Sequence, residues 1–345
     1  MKRKFLSVLA LVLVLCMLPI SAFAAATDQG ELSFAVSRAS SCVTKSEYVP
    51  QQDIVLSNPI PQYECVTGDL VANVYLMFDG TMHIGLVLVS SKGENRSSTA
   101  YLCNYPVLEM AKNAGSRVVF YQENGCFTVY IDGDRFILEN PNGVADFVEL
   151  EIKNGCIIST TVPVSLQQNR SIYYSLNVDF VDNWNINGGI CWAAALASKI
   201  NYQTGSDLDA MDVYNRCVTY WSMENMSEAD RPAGNSQWYQ IAAELYNVSM
   251  TYLDRPINSE GRFVTCFRTG RPIIMRLRTE DEQSRHAVVN CGIEEDADFY
   301  ELKIMDPNKV YYVYATIPHD FFETQAGFSY NAGYADYTKW IGTFY

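Results

Sequence analysis

Across residues 70–166 apolar and polar positions alternate in short runs, the period of a strand with one buried face. Asp79-Gly80, Asn124-Gly125, Asp132-Gly133, Asn142-Gly143 and Asn154-Gly155 punctuate these runs. Such pairs predict hairpins, because Asn, Asp and Gly accept the positive φ of type I′ turns. The clearest case is 117–122 and 126–131 flanking Glu123-Asn124-Gly125, with Val, Tyr, Phe and Thr at the strand positions. The pattern predicts an all-β, hairpin-rich domain.

The period then changes. A polar stretch at 167–171 reads as a linker. Beyond it, 191–203 sets Trp192, Ala195, Leu196 and Ile200 on one helical stripe, with Gly205 at the C-terminal stop. A second helix is predicted to start at Ser206, with Asp209 as the acid of a capping box, and a third spans 236–246. Period two returns at 272–277, 287–293, 299–305 and the Tyr-rich 311–315. Helices followed by sheet predict an α+β domain. The expected organisation is a leader at 1–24, a β-rich domain at 25–166, a linker at 167–172 and the α+β domain at 173–345.

The leader rests on Lys2-Arg3-Lys4, an apolar stretch over 5–18 and Ala22-Phe23-Ala24. This is the layout of a secretory signal peptide cleaved after Ala24. The stretch is shorter than the ~20 residues of a membrane span, and Pro19 interrupts it. Leu15 before Cys16 disfavours a lipoprotein site. The chain is therefore expected outside the cytoplasm. Over the 345 residues, 48% are hydrophobic and 19% charged, enough to bury a core. The net charge of −14 repels phosphate backbones, so nucleic acid is not an expected partner. Of ten cysteines, Cys16 would leave with the leader, and the odd remainder is spread singly without a CxxC pair. That spacing argues against a zinc site, and no metal or cofactor is implied.

The chemistry centres on Gly188-Gly189-Ile190-Cys191-Trp192, which puts a thiol at a helix start. There the positive end of the helix dipole favours thiolate, the nucleophilic form. Three histidines are available. His83 lies in the β-rich domain and His319 follows Pro318 in a turn, both reading as surface or packing residues. His286 opens the apolar strand that follows, where it can face a cleft. Asp306 shares the face of Tyr300, Leu302 and Ile304 and could accept the Nδ1 proton of His286, fixing its tautomer. Asn308 has the same parity and is the alternative orienter.

Gly-x-Cys-Trp-Ala at a helix start, a later His-Ala-Val strand and Asp-Pro after the next strand resemble the papain-like cysteine peptidases. The separations suit compact bacterial forms, staphopain-like or bacteriocin-processing-like. The resemblance covers about 173–345. It implies a helical half facing a β half across a cleft, peptide or protein substrates, and no cofactor. It also implies roles: Cys191 as nucleophile, His286 as base and acid, and Asp306 as the orienting residue. The family's oxyanion-hole glutamine, six residues before the cysteine, is here Asn185, with Asn183 and Asn187 as competitors. The β-rich domain would then be a propeptide that inhibits the enzyme intramolecularly until the linker is cut, or a permanent accessory domain. Two other readings remain: an acyltransferase or cell-wall amidase using the same residues, and a non-catalytic surface-binding protein.

Overall fold

Tight turns do organise the first half. In the computed structural model, residues 29–345 are described except 47, 91–96, 124, 142–151, 167–172, 184–188, 227–235, 297–298 and 310. The expected leader, the linker and Asn142-Gly143 thus lie outside the described residues. The chain divides into Met1–Phe34 and Ala35–Tyr345. Residues 29–34 begin helix α1 (Gln29–Lys45), whose Ala35, Ala39 and Cys42 are buried in the second unit.

Strands β1 (Ile54–Ser57), β2 (Ile60–Glu64), β3 (Leu70–Asp79), β4 (Met82–Ser90) and β5 (Ser98–Leu102) come first. Helix α2 (Pro106–Ala114) follows, then β6 (Arg117–Glu123), β7 (Cys126–Ile131), β8 (Asp134–Glu139), β9 (Cys156–Ile157) and β10 (Thr160–Pro163). Asp79-Gly80 joins β3 to β4, and Asp132-Gly133, with φ of 51° and 96°, joins β7 to β8 as a type I′ turn requires. Asn154-Gly155 makes no hairpin. Gly155 leads into β9, which pairs with the distant β6, and a Cβ there would lie 2.8 Å from the Val118 carbonyl oxygen. The all-β expectation is corrected by α1 and α2. The second of these carries Pro106 in its first turn and left-handed Gly115 at its end, helix-boundary signals that outweigh the flanking strand pattern.

The second half begins with β11 (Tyr173–Ser175) and helices α3 (Cys191–Thr204), α4 (Ala210–Tyr220) and α5 (Ser236–Leu245). Gly205, at φ 70°, closes α3. The cap of helix α4 lies three residues later than the sequence suggests. Asp209 is its cap: Asp209 accepts from the Asp212 amide at 2.7 Å, and Asp212 accepts from the Asp209 amide at 3.0 Å. Ser206 stays in the connecting turn beside Thr204. Next come β12 (Tyr252–Leu253), helix α6 (Glu260–Arg268, absent from the sequence reading), β13 (Ile273–Thr279), β14 (Arg285–Glu295), β15 (Phe299–Met305) and β16 (Tyr312–Pro318). A one-turn helix α7 (Phe321–Thr324), β17 (Tyr330–Asn331) and β18 (Asp336–Phe344) complete the chain.

Helices and a large mixed sheet make the fold α+β. Strands run β18-β13-β14-β15-β16 antiparallel, and β16 pairs in turn with β5, placing Val313 opposite Tyr101 and Ala315 opposite Thr99. The ladder continues through β4 to β3. One apolar core draws on Leu86, Phe120 and Phe127 from the first half and on Leu196, Val288 and Ile304 from the second. Helix α3 packs on α4 and on β14, which sets its N-terminus beside the start of that strand. Among the described residues no helix is long and apolar enough to cross a membrane.

Candidate active site

The backbone entering α3 is shaped for close approach. Gly189 sits at φ 101°, and a Cβ there would fall 2.8 Å from Asn183 Nδ2. Among the described residues no side chain caps α3, and no acid occupies its first turn, so none competes there with the Cys191 thiol for the positive end of the helix. Its thiol is half-buried, while the next side chain, Trp192, is buried against Trp238 and Tyr239.

His286 is the second residue of β14, and Asp306 directly follows β15. The antiparallel register, with Val289 opposite Met305, brings the two together at one end of the pair. Both are buried. His286 Nε2 lies 2.7 Å from Asp306 Oδ1. This corrects the expected nitrogen: the ring enters from the strand end with Nε2 toward the acid. Nδ1 is thereby left free of the acid, and the Cys191 thiol, in the same cavity, also favours the charged imidazole. Burial disfavours a charged imidazole, but the Asp306 carboxylate beside it more than offsets this and lifts the His286 pKa to about 10. For Asp306, burial acts upward, and the His286 charge and hydrogen bond outweigh it, bringing the carboxyl to about 2.

Three tyrosines missed in the sequence surround this pair. Tyr330 donates to Asp306 Oδ2 at 2.6 Å. The Tyr334 hydroxyl lies 3.5 Å from the same oxygen and 3.4 Å from His286 Nε2. The Tyr337 ring stacks on the imidazole at 5.4 Å. Their only sequence signal is the density of aromatics near the C-terminus, which also fits a packed strand.

Asn308 does not meet the imidazole. Its backbone N–H donates to Asp306 Oδ1 at 2.8 Å, while its side chain donates to Tyr334 and accepts from Asn183 Nδ2. Asn185 and Asn187 lie outside the described residues. Asn183 is described, and with Cys191, His286, Asn308, Tyr334 and Tyr337 it lines a cavity of about 160 Å³. Every described residue lining that cavity falls between Asn183 and Tyr337.

The other histidines are elsewhere. His83 is buried between Phe78 and Tyr105, accepts from the Tyr105 amide, and is pushed down to about 3 by burial. His319 is exposed against Tyr300. Among the described residues, no group of three or more His, Cys, Asp or Glu side chains is arranged to hold a metal ion.

A thiol at a helix N-terminus beside a carboxylate-bound imidazole is the equipment of a cysteine hydrolase. Residues 171–317 match the family model described as papain-like cysteine protease AvrRpt2. The match covers less than half of the chain and includes Cys191, His286 and Asp306. It supports a cysteine-type peptidase of the papain-like kind, acting on peptide or protein substrates, and lends no support to the staphopain-like subtype. No curated protein matches the chain.

Proposed function

We propose that this chain is a secreted cysteine peptidase in which Cys191, His286 and Asp306 act as nucleophile, acid–base and orienting residue. One observation carries the reading: an imidazole bound on Nε2 to the buried Asp306 lines the same cavity as the Cys191 thiol. His286 takes the thiol proton, which frees the sulfur to attack as thiolate. The thiolate adds to the scissile carbonyl carbon, and the carbonyl oxygen takes the negative charge. The Cys191 backbone N–H and the Asn185 carboxamide are the proposed donors to that oxygen. His286 passes its proton to the departing amine as the C–N bond breaks, leaving a thioester. Water then attacks the thioester, giving its proton to His286, and the carboxylic acid leaves as the thiol re-forms.

The family match favours peptide bonds over the amidase or acyltransferase reading. Secretion rests on the leader and predicts a mature chain beginning at Ala25. Release of 25–166 as a zymogen propeptide remains the rival of a permanent accessory region. The β5–β16 pairing favours permanence.

The test is alkylation by an epoxide or iodoacetamide at mildly acidic pH, together with casein and peptidoglycan as substrates. Labelling of Cys191 ahead of the other cysteines, slowed in His286→Ala, with casein cleavage lost in Cys191→Ala, is expected. Cleavage of peptidoglycan alone would establish the amidase. Labelling no faster than that of buried cysteines, with no turnover, would leave the non-catalytic binding protein.

A further inference from the structure

The acid of the site is held by residues that the first half of the chain in turn holds. Tyr330 of β17 and Tyr334, in the turn that joins β17 to β18, both reach Asp306. Gln62 of β2 donates from Nε2 to the Gly333 carbonyl at 2.7 Å and accepts from Asn331 Nδ2 at 3.0 Å. Gln122 of β6 donates to Asn331 Oδ1 at 3.2 Å, and Thr99 Oγ1 of β5 accepts from the Asn331 backbone N–H at 3.2 Å. Within the turn, the Gly333 N–H donates to Asn331 Oδ1 at 2.8 Å. Gln62, Asn331 and Gln122 are all buried.

The approach is also sterically close. Gly333 sits at φ 87°, and a Cβ there would lie 3.1 Å from the Phe127 ring and 3.3 Å from the Tyr101 hydroxyl. A buried network of this kind stabilises its geometry only while every member is present, because each orphaned amide keeps its full desolvation cost. Removing the first half would orphan Asn331 and the Gly333 carbonyl together and strip β5 from β16. A cover that inhibits by blocking must also stand over the nucleophile. Among the described residues, the cavity at Cys191 is instead lined by residues between Asn183 and Tyr337.

We propose that strands β2, β5 and β6 are a lasting part of the enzyme and position Asp306, by clamping the segment that runs from Tyr330 to Tyr334. This rests on the reading above that Asp306 orients His286. Gln62 and Asn331 are positioning residues, acting on the imidazole only through the tyrosines and the carboxylate.

Two measurements on the full chain test the proposal. First, a site for a sequence-specific protease is placed within 167–172, the chain is nicked, and the fragments are passed through size exclusion without denaturant. Co-elution with activity retained is expected. A free C-terminal fragment that is as active as the intact chain, or more so, would overturn permanence.

Second, Gln62→Leu and Gly333→Ala are compared with wild type by kcat/KM against pH, with active sites counted by epoxide titration. A loosened turn lets the Asp306 pKa rise and that of His286 fall. The expected result is therefore an alkaline limb moved to lower pH, with kcat per titrated site down ~10-fold and KM little changed. An unmoved limb with full activity per titrated site, in whichever variant folds, would reduce these residues to packing and overturn the positioning role. Failure of the proposed function shows differently: wild type itself would not be titrated, whatever the fragments do.

Discussion

Tyr330 donates its hydroxyl to Asp306 Oδ2 at 2.6 Å, on the opposite oxygen from the one that meets His286. The carboxylate is thus fixed from both sides and cannot rotate away from the ring. Hydrogen bonds to a charged group contribute about 1.5–3 kcal/mol. Tyr330→Phe should therefore lower unfolding free energy by about that amount. In the proposed enzyme it should also lower the alkaline limit of activity, since a less stabilised carboxylate holds the His286 proton less well. Urea unfolding and a pH–rate profile check the two effects.

Asp306→Asn and Asp306→Ala should differ. The amide oxygen of asparagine can still accept from Nε2–H and keep the ring oriented, while its charge is gone. The Asn variant should lose roughly 10- to 100-fold in kcat/KM, corresponding to about 1.4–2.7 kcal/mol, and the Ala variant distinctly more. Equal activities would mean that orientation by Asp306 is irrelevant.

The pair also links stability to pH. The His286 pKa is raised from 6.5 to about 10, so its contribution is complete below 6.5 and fades as pH climbs toward 10. The Asp306 pKa is lowered from 3.8 to about 2, so its contribution is complete above 3.8 and fades as pH falls toward 2. The stability gap between wild type and Asp306→Asn should be widest between pH 3.8 and 6.5 and close in both directions. Denaturant titrations at a series of pH values measure it.

Gly189→Ala should disable the site without unfolding the chain. A left-handed φ of 101° costs an L-residue about 1–2 kcal/mol, and the added methyl would press on Asn183 Nδ2. Epoxide labelling of Cys191 should slow at least ~10-fold while the protein stays folded, as judged by circular dichroism.

Helix α1 is tied to the second half by charge. Arg38 and Lys45 both bind Glu301 on β15, Ser41 donates to the same carboxylate at 2.9 Å, and Arg38 also meets Asp296 at 3.1 Å. Glu301→Gln would leave two cations short of a buried partner, a loss of about 3–5 kcal/mol. An unchanged urea midpoint would show that Glu294 and Asp296, which also face this cluster, suffice.

Much of this was legible in residue order because it depends on local rules. The end of α3 at Gly205, the turn at Asp132-Gly133 and the strand 299–305 follow from backbone preferences and period alone. Cys191 at a helix start and His286 at a strand mouth are likewise local facts. Helix α2 was hidden because its few apolar positions lie between strands, and the start of α4 was misplaced because Ser206 and Asp209 both make good caps.

Tertiary structure alone decided what depends on distance in space. Which imidazole nitrogen meets Asp306, the alliance of Tyr330, Tyr334 and Tyr337 around it, and the joining of β5 to β16 have no signature in neighbouring residues. A sequence determines its own turns, caps and periods through short-range sterics and hydrogen bonding. Side chains more than two hundred residues apart, such as Gln62 and Asn331, meet only because burying apolar faces selects one packing, and the polar groups caught inside must then find each other.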